Sequence, residues 1–128
     1  MTSMLALKMK KILYVEDNED TANVVRMILT HEGFQTNIAL TGKEGLKKAE
    51  DDFDLFLLDV MLPDMSGWDV FHELKKKRYK GKCAFLSIVP KPKKTEELKK
   101  MGVEDYILKP FTKDDLIKRV RKILNNSA

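Results

Sequence analysis

The residues best suited to chemistry in this chain lie where predicted strands end. Three acids, one hydroxyl and one lysine fall at such ends: Glu16, Asp17, Asp59, Ser87 and Lys109. In an open parallel sheet, ligands bind at the carboxyl ends of the strands, so these side chains should converge. Three carboxylates in one place repel one another, and hard oxygen donors at a partly open site favour Mg²⁺.

An aspartate beside a metal ion, a lysine and a hydroxyl is suited to accept a phosphoryl group. Such a transfer needs an in-line nucleophile and positive charge on the equatorial oxygens. A phosphate or dinucleotide cradle after the first strand would use glycines and helix N–H groups. The loop there instead reads Glu16-Asp17-Asn18-Glu19-Asp20, which attracts a cation.

Five apolar or alternating runs of strand length would position those side chains. They are Ile12–Val15, Phe34–Ala39, Leu55–Leu58, Cys83–Val89 and Tyr106–Leu108. Helical patterns cover 19–31, 66–77 and 95–101, and two more begin at 41 and 112. Five alternations of strand and helix predict a parallel sheet covered on both faces. The continuous apolar run Leu55–Leu58 is typical of a central strand, and the more polar Phe34–Ala39 of an edge strand.

The composition indicates one globular unit. The 128 residues are 43% hydrophobic and 34% charged, which argues against disorder and against two domains. No apolar run approaches the roughly 20 residues that a membrane span needs. The lone Cys83 excludes an internal disulfide and suits a reducing cytoplasm. A net charge of +4 permits acidic partners without indicating nucleic acid.

Three segments of the chain resemble the response-regulator receiver domains. They are Ile12-Leu13-Tyr14-Val15-Glu16-Asp17-Asn18, Leu58-Asp59-Val60-Met61-Leu62-Pro63-Asp64-Met65-Ser66-Gly67 and Tyr106-Ile107-Leu108-Lys109-Pro110-Phe111. The resemblance extends over residues 10 to 124. It implies a flavodoxin-like, doubly wound α/β fold with five parallel strands in the order 2-1-3-4-5 and five helices. It also implies a cis peptide bond before Pro110.

The resemblance implies a role for each acid and for the lysine. Asp59 would take a phosphoryl group from the phosphohistidine of a sensor histidine kinase or from a phosphotransfer protein. Asp17, Asp59 and the backbone carbonyl of Met61 would ligate Mg²⁺, with Glu16 acting through water. Lys109 would contact the phosphoryl oxygens.

Ser87 and Tyr106 match the switch pair of the family. Phosphorylation would pull the Ser87 hydroxyl inward and let the Tyr106 ring turn toward the core. A downstream protein target would then read the surface of the fourth helix, fifth strand and fifth helix. The expected protein is therefore a cytoplasmic binding module and not an enzyme, with no membrane contact and no direct nucleic-acid contact.

One residue departs from the family pattern, and two others lie at positions that tune the loss of the phosphoryl group in such domains. Ile88 stands where the family usually has a small residue, so it should narrow access to Asp59 and slow phosphorylation by small donors. Met61 and Val89 occupy the positions that tune water attack, and both are apolar. We therefore expect slow self-dephosphorylation.

The sequence leaves other arrangements open. We expect a stand-alone receiver over residues 10–125, preceded by a flexible leader at 1–9. The chain could instead be a receiver excised from a longer hybrid kinase or transcription factor. A small Mg²⁺-dependent phosphohydrolase is a third alternative, but related aspartyl phosphatases carry a second aspartate where this chain has Met61. A nucleic-acid-binding function would rest on the net charge alone, because no helix-turn-helix pattern follows the receiver segment.

Overall fold

Strands and helices alternate throughout the computed structural model, which describes residues 10–125. The strands are β1 (Lys11–Val15), β2 (Gln35–Ala39), β3 (Leu55–Leu58), β4 (Lys82–Ser87) and β5 (Val103–Leu108). The helices are α1 (Glu19–His31), α2 (Gly42–Lys48), α3 (Gly67–Lys76), α4 (Thr95–Met101) and α5 (Lys113–Asn125). The leader predicted at 1–9 lies outside the described residues.

All five strands pair in parallel, in the order β2-β1-β3-β4-β5. This confirms the predicted fold. Every residue of β3 is buried, as expected of a central strand, whereas β2 alternates between exposed and half-buried positions at the edge. β2 lies on one side of β1 and β3 on the other, so the order of the strands reverses at β1. A doubly wound sheet binds its ligands beside such a reversal.

Two hydrophobic clusters cover the two faces of the sheet. Alternate side chains of a strand point to opposite faces, so Leu13 packs toward α3 while Tyr14 packs toward α1 and α5. Cys83 is buried in the first cluster, and burial raises the pKa of its thiol to about 12. The two cores fix the strands rigidly and leave their carboxyl ends open at one edge.

Two strand boundaries differ from those predicted by more than one residue. β4 ends at Ser87 and not at Val89, which places Ser87 at the end of its strand. β5 begins at Val103, earlier than predicted, because Gly102 ends α4 in the left-handed conformation (φ 103°) and the chain enters the strand at once. The acidic pair Glu104-Asp105 hid this start from a pattern based on apolar residues.

Arg78 is the residue of the described chain, other than glycine, that adopts a positive φ (57°). It follows Lys77, the C-cap residue of α3, at the position where glycine usually ends a helix, and a side chain there costs roughly 1 kcal/mol. We expect Arg78→Gly to raise the free energy of unfolding by about 0.5 kcal/mol, measured by urea denaturation. Lys77→Gly is the control. Lys77 has a right-handed conformation (φ −81°), so a glycine there relieves no strain and the variant should be less stable than the wild type. A loss in both variants would contradict the assignment of strain to Arg78.

Candidate functional site

The three carboxylates predicted to meet at the strand ends do lie together. One oxygen each from Glu16, Asp17 and Asp59 lies within 4.8 Å of the other two. Glu16 and Asp59 are 1% and 6% exposed, whereas Asp17 faces solvent. The cluster is therefore buried on the side of the sheet and open on the side of Asp17.

Backbone hydrogen bonds carry the strand pairing one residue past β1 and β3 and so fix two of the acids. The amide of Glu16 donates to the carbonyl of Ala39 (2.9 Å), and the amide of Asp59 donates to the carbonyl of Val15 (3.0 Å). Because both acids continue the ladder of the sheet, their positions are set by the fold and not by a flexible loop.

Lys109 reaches the same cluster from the end of β5. Its ammonium group donates to Oε1 of Glu16 and lies 3.6 Å from Oδ2 of Asp59. Its backbone amide donates to the carbonyl of Ser87 (2.9 Å), and the Lys109–Pro110 peptide is cis, as the resemblance implied. The single cation thus pairs with Glu16 and stands next to Asp59.

The environment shifts the pKa values of the two buried acids, Glu16 and Asp59, in opposite directions. Burial raises the pKa of the Glu16 carboxyl, but hydrogen bonds from Lys109 and from the Asn18 amide outweigh burial and leave that pKa below its usual range. Burial and repulsion by Glu16 hold the pKa of Asp59 above its usual range, although a hydrogen bond from Ser87 and the charge of Lys109 act against them. A further cation would therefore stabilise the negative charge of Asp59 more than that of Glu16.

The donor set fits Mg²⁺. Three carboxylates against one lysine leave excess negative charge, carboxylate oxygens are the ligands that Mg²⁺ prefers, and the exposed side of Asp17 leaves space for the waters that this ion retains. Asp17 and Asp59 would hold the ion directly. The roles of the Met61 carbonyl and of Glu16 through water stay predictions.

The loop that follows Asp59 is held by two residues to which sequence reasoning gave no role. A Cβ atom on Gly67 would lie 1.9 Å from the carbonyl oxygen of Asp59, so only glycine fits there. The carboxylate of Asp64 accepts hydrogen bonds from the amides of Gly42 (2.8 Å) and Lys43 (2.9 Å), which hold its pKa below its usual range. The partners of Asp64 are distant in sequence, and residue patterns alone do not pair them.

Ser87 and Tyr106 are linked through the backbone of one residue, Val89. The amide of Val89 donates to the Ser87 hydroxyl (3.2 Å), and the Tyr106 hydroxyl donates to the carbonyl of Val89 (2.6 Å). Ser87 is fully buried, and the Tyr106 ring is 7% exposed and stacks on Phe85 at 5.7 Å. Both side chains point inward, and the Val89 backbone makes a hydrogen bond to each of them.

Removing the charge of Asp59 should stabilise the metal-free protein. A carboxyl whose pKa is raised on folding contributes stability below its unfolded pKa and loses that stability as the pH rises through the folded pKa. At pH 7 the Asp59 charge is thus a cost, and we expect Asp59→Asn to raise the free energy of unfolding by about 1 kcal/mol, with a smaller gain near pH 4. Urea denaturation in a chelator measures both values.

Addition of Mg²⁺ should reverse that order, because an ion that binds only the folded state stabilises the wild type and has a weaker site in the variant. Asp51→Asn, which changes an exposed aspartate outside the cluster, is the matched control and should leave stability unchanged at either pH. A metal-free Asp59→Asn variant less stable than the wild type at pH 7 would contradict this electrostatic account.

The family model for the response regulator receiver domain matches residues 12–121 of this chain. The transcriptional regulatory protein PcoR of Escherichia coli is 32% identical over 120 residues, which cover 93% of this chain and 53% of PcoR. The response regulator SaeR of Staphylococcus aureus is 27% identical over 116 residues, covering 91% of this chain and 51% of SaeR. The chain thus spans about half the length of these curated relatives.

Solved structures of similar extent share the fold. A CheY-like response regulator receiver domain protein from Methanospirillum hungatei JF-1 has a TM-score of 0.83 and 31% identity, covering 91% of this chain and 94% of that one. The response regulator TrrA of Thermotoga maritima, solved in complex with Mg²⁺-BeF, has a TM-score of 0.78 and 31% identity, covering 91% and 100%. Within residues 10–125, the helices are too short or too polar to cross a membrane.

Proposed function

The chain belongs to the family of response regulator receiver domains, and from that premise we propose that it is a phosphorylation-operated switch whose acceptor is Asp59. The observation that supports this most strongly is the placement of one buried carboxylate between two other acids and a lysine. Receiver domains are signalling modules, so the proposed output is a change of binding partner and not release of a product.

The proposed reaction moves one phosphoryl group. A carboxylate oxygen of Asp59 forms the new P–O bond as the P–N bond of a phosphohistidine breaks, and the electron pair stays on the imidazole nitrogen. Lys109, 3.6 Å from Oδ2 of Asp59, would neutralise a phosphoryl oxygen. Mg²⁺ at Asp17, Asp59 and the Met61 carbonyl, with Glu16 acting through water, would supply the remaining positive charge. The Mg²⁺-BeF complex of TrrA supports this choice of ion.

The proposed donor is a sensor histidine kinase or a phosphotransfer protein. Ile88 is 67% exposed and follows Ser87 directly, so its branched side chain lies at the rim of the site. A small phosphodonor would have to pass this side chain, whereas a protein donor could pack against it. Reduced phosphorylation by small donors therefore remains an expectation of the proposal.

A chain of contacts leads from the acceptor to a surface groove. Ser87 lowers the pKa of the Asp59 carboxyl, and the Val89 backbone joins Ser87 to Tyr106. Tyr106 lines a groove between α4, β5 and α5, whose other apolar walls include Leu98, Leu108 and Phe111. We propose that a downstream protein target binds in this groove and senses the state of Asp59 through Tyr106.

Intact mass after phosphorylation tests the proposed acceptor. Incubated with Mg²⁺ and the phosphohistidine domain of a kinase, the wild type should gain one phosphoryl group, and Asp59→Asn should gain none because it lacks the nucleophile. A chelator should also abolish the gain in the wild type. Asp51→Asn, with the same substitution at an exposed position, should be modified like the wild type. Modification of Asp59→Asn to the wild-type extent would place the acceptor elsewhere.

The phosphorylated protein should lose its phosphoryl group slowly. Met61 and Val89 offer no polar side chain to position an attacking water, and Met61 is 63% exposed at the open side of the loop. We expect a half-life of minutes or longer, followed by intact mass after removal of the donor. Met61→Asn should shorten it by supplying a polar group at the same position. A wild-type half-life of seconds would contradict the expectation.

The finer features of the proposal are the extent of the protein, the exclusion of a hydrolase and the cellular compartment. The stand-alone arrangement is proposed beside its alternative, a receiver that forms part of a longer hybrid kinase or transcription factor. A phosphohydrolase is less favoured, because Met61 occupies the position of the second aspartate and cannot donate a proton. A cytoplasmic location is proposed because a reducing compartment keeps the lone Cys83 as a thiol.

A further inference from the structure

Tyr14 places a hydroxyl group against the acidic cluster from inside the sheet. The residue belongs to β1 and is fully buried in the core that faces α1 and α5. Its hydroxyl donates to Oε1 of Glu16 at 3.0 Å. Residues two apart on a strand project from the same face, so the fold itself directs the phenol at the carboxylate.

Glu16 depends on three donors because it is almost completely buried. Oε1 accepts from both Tyr14 and Lys109, and Oε2 accepts from the amide of Asn18 (3.1 Å). A buried carboxylate that loses a donor bears the full cost of its desolvation. Two of the three donors share Oε1, and one of these two, Lys109, also lies 3.6 Å from a carboxylate oxygen of Asp59.

The phosphoryl oxygens on Asp59 would lie beyond its carboxylate, so contact with them draws the Lys109 ammonium group away from Oε1 of Glu16. We propose that Tyr14 is a positioning residue that keeps Glu16 hydrogen-bonded when Lys109 moves to the phosphoryl group. This inference rests on the proposed function. It gives the phenol a role that an aliphatic side chain of the same core could not fill.

A purely structural role for Tyr14 makes a different prediction. A buried phenol needs a partner for its O–H group, and Glu16 could serve merely as that partner. In that case removal of the hydroxyl would affect stability but not the balance between binding of the metal and binding of the phosphoryl group. The informative quantity is thus the ratio of two affinities, measured for each variant.

The first experiment measures binding of Mg²⁺ alone and of beryllofluoride in saturating Mg²⁺, by calorimetry. Tyr14→Phe preserves the ring and removes only the hydroxyl. We expect it to weaken beryllofluoride binding by roughly 10- to 100-fold, the effect of one hydrogen bond to a charged group, and to weaken Mg²⁺ binding much less. Tyr79→Phe is the matched control, because the Tyr79 ring packs on Phe56 in the other core cluster, and both of its affinities should stay within twofold of the wild type.

The second experiment needs no metal or phosphoryl mimic. Urea unfolding of the wild type, Tyr14→Phe, Lys109→Met and the double variant forms a double-mutant cycle. If both donors hold the same oxygen of Glu16, the urea midpoint of the double variant should fall below the value expected from the sum of the single shifts. Additive shifts would overturn the inference.

The two failures can be told apart. If the wild type binds beryllofluoride and Tyr14→Phe binds it equally well, or loses the same factor for Mg²⁺ and beryllofluoride, only the role of Tyr14 is overturned. If the wild type does not bind beryllofluoride in Mg²⁺, the proposed function fails, and the inference fails with it.

Discussion

The properties of this site depend on the repulsion among the carboxylates that the fold holds together at the carboxyl ends of the strands. Glu16 and Asp59 are fixed by backbone hydrogen bonds that continue the strand pairing, so they cannot move apart to relieve it. Lys109 neutralises Glu16 and leaves Asp59 with its pKa raised. The fold thus creates an excess of negative charge that a divalent ion would offset, and it places Asp59, the proposed acceptor, where that excess is greatest.

The same geometry links Asp59 to the molecular surface. Ser87 lowers the pKa of the Asp59 carboxyl, and the Val89 backbone accepts a hydrogen bond from Tyr106 and donates one to Ser87. Gly67, the first residue of α3, packs directly on the Asp59 backbone. A change in charge at Asp59 would therefore act on a tightly packed, hydrogen-bonded network, in which two discrete arrangements are favoured over gradual deformation.

Much of this architecture follows from the sequence because its signals are local. The apolar run Leu55–Leu58 predicts a buried central strand, and the more polar Phe34–Ala39 predicts an edge strand. The acids and Lys109 follow strands, so the sequence also predicts that they lie together at the carboxyl ends of the strands. What the sequence does not reveal depends on pairs that only the fold brings together. The hydroxyl of Tyr14 looks like part of an apolar strand until its contact with Glu16 is seen, and Asp64 looks like a turn residue until it meets the start of α2.

The central claim, that these carboxylates form one divalent-ion site around Asp59, is tested most directly by titrating Mn²⁺ into the ¹⁵N-labelled protein. Paramagnetic broadening falls off steeply with distance from the ion, so the amide signals of Glu16, Asp17, Asp59 and Met61 should disappear first and return when Mg²⁺ is added in excess. Signals at the other ends of the strands, such as Gln35 and Lys82, should persist. Broadening centred on any other part of the molecule, or no selective broadening, would contradict the account.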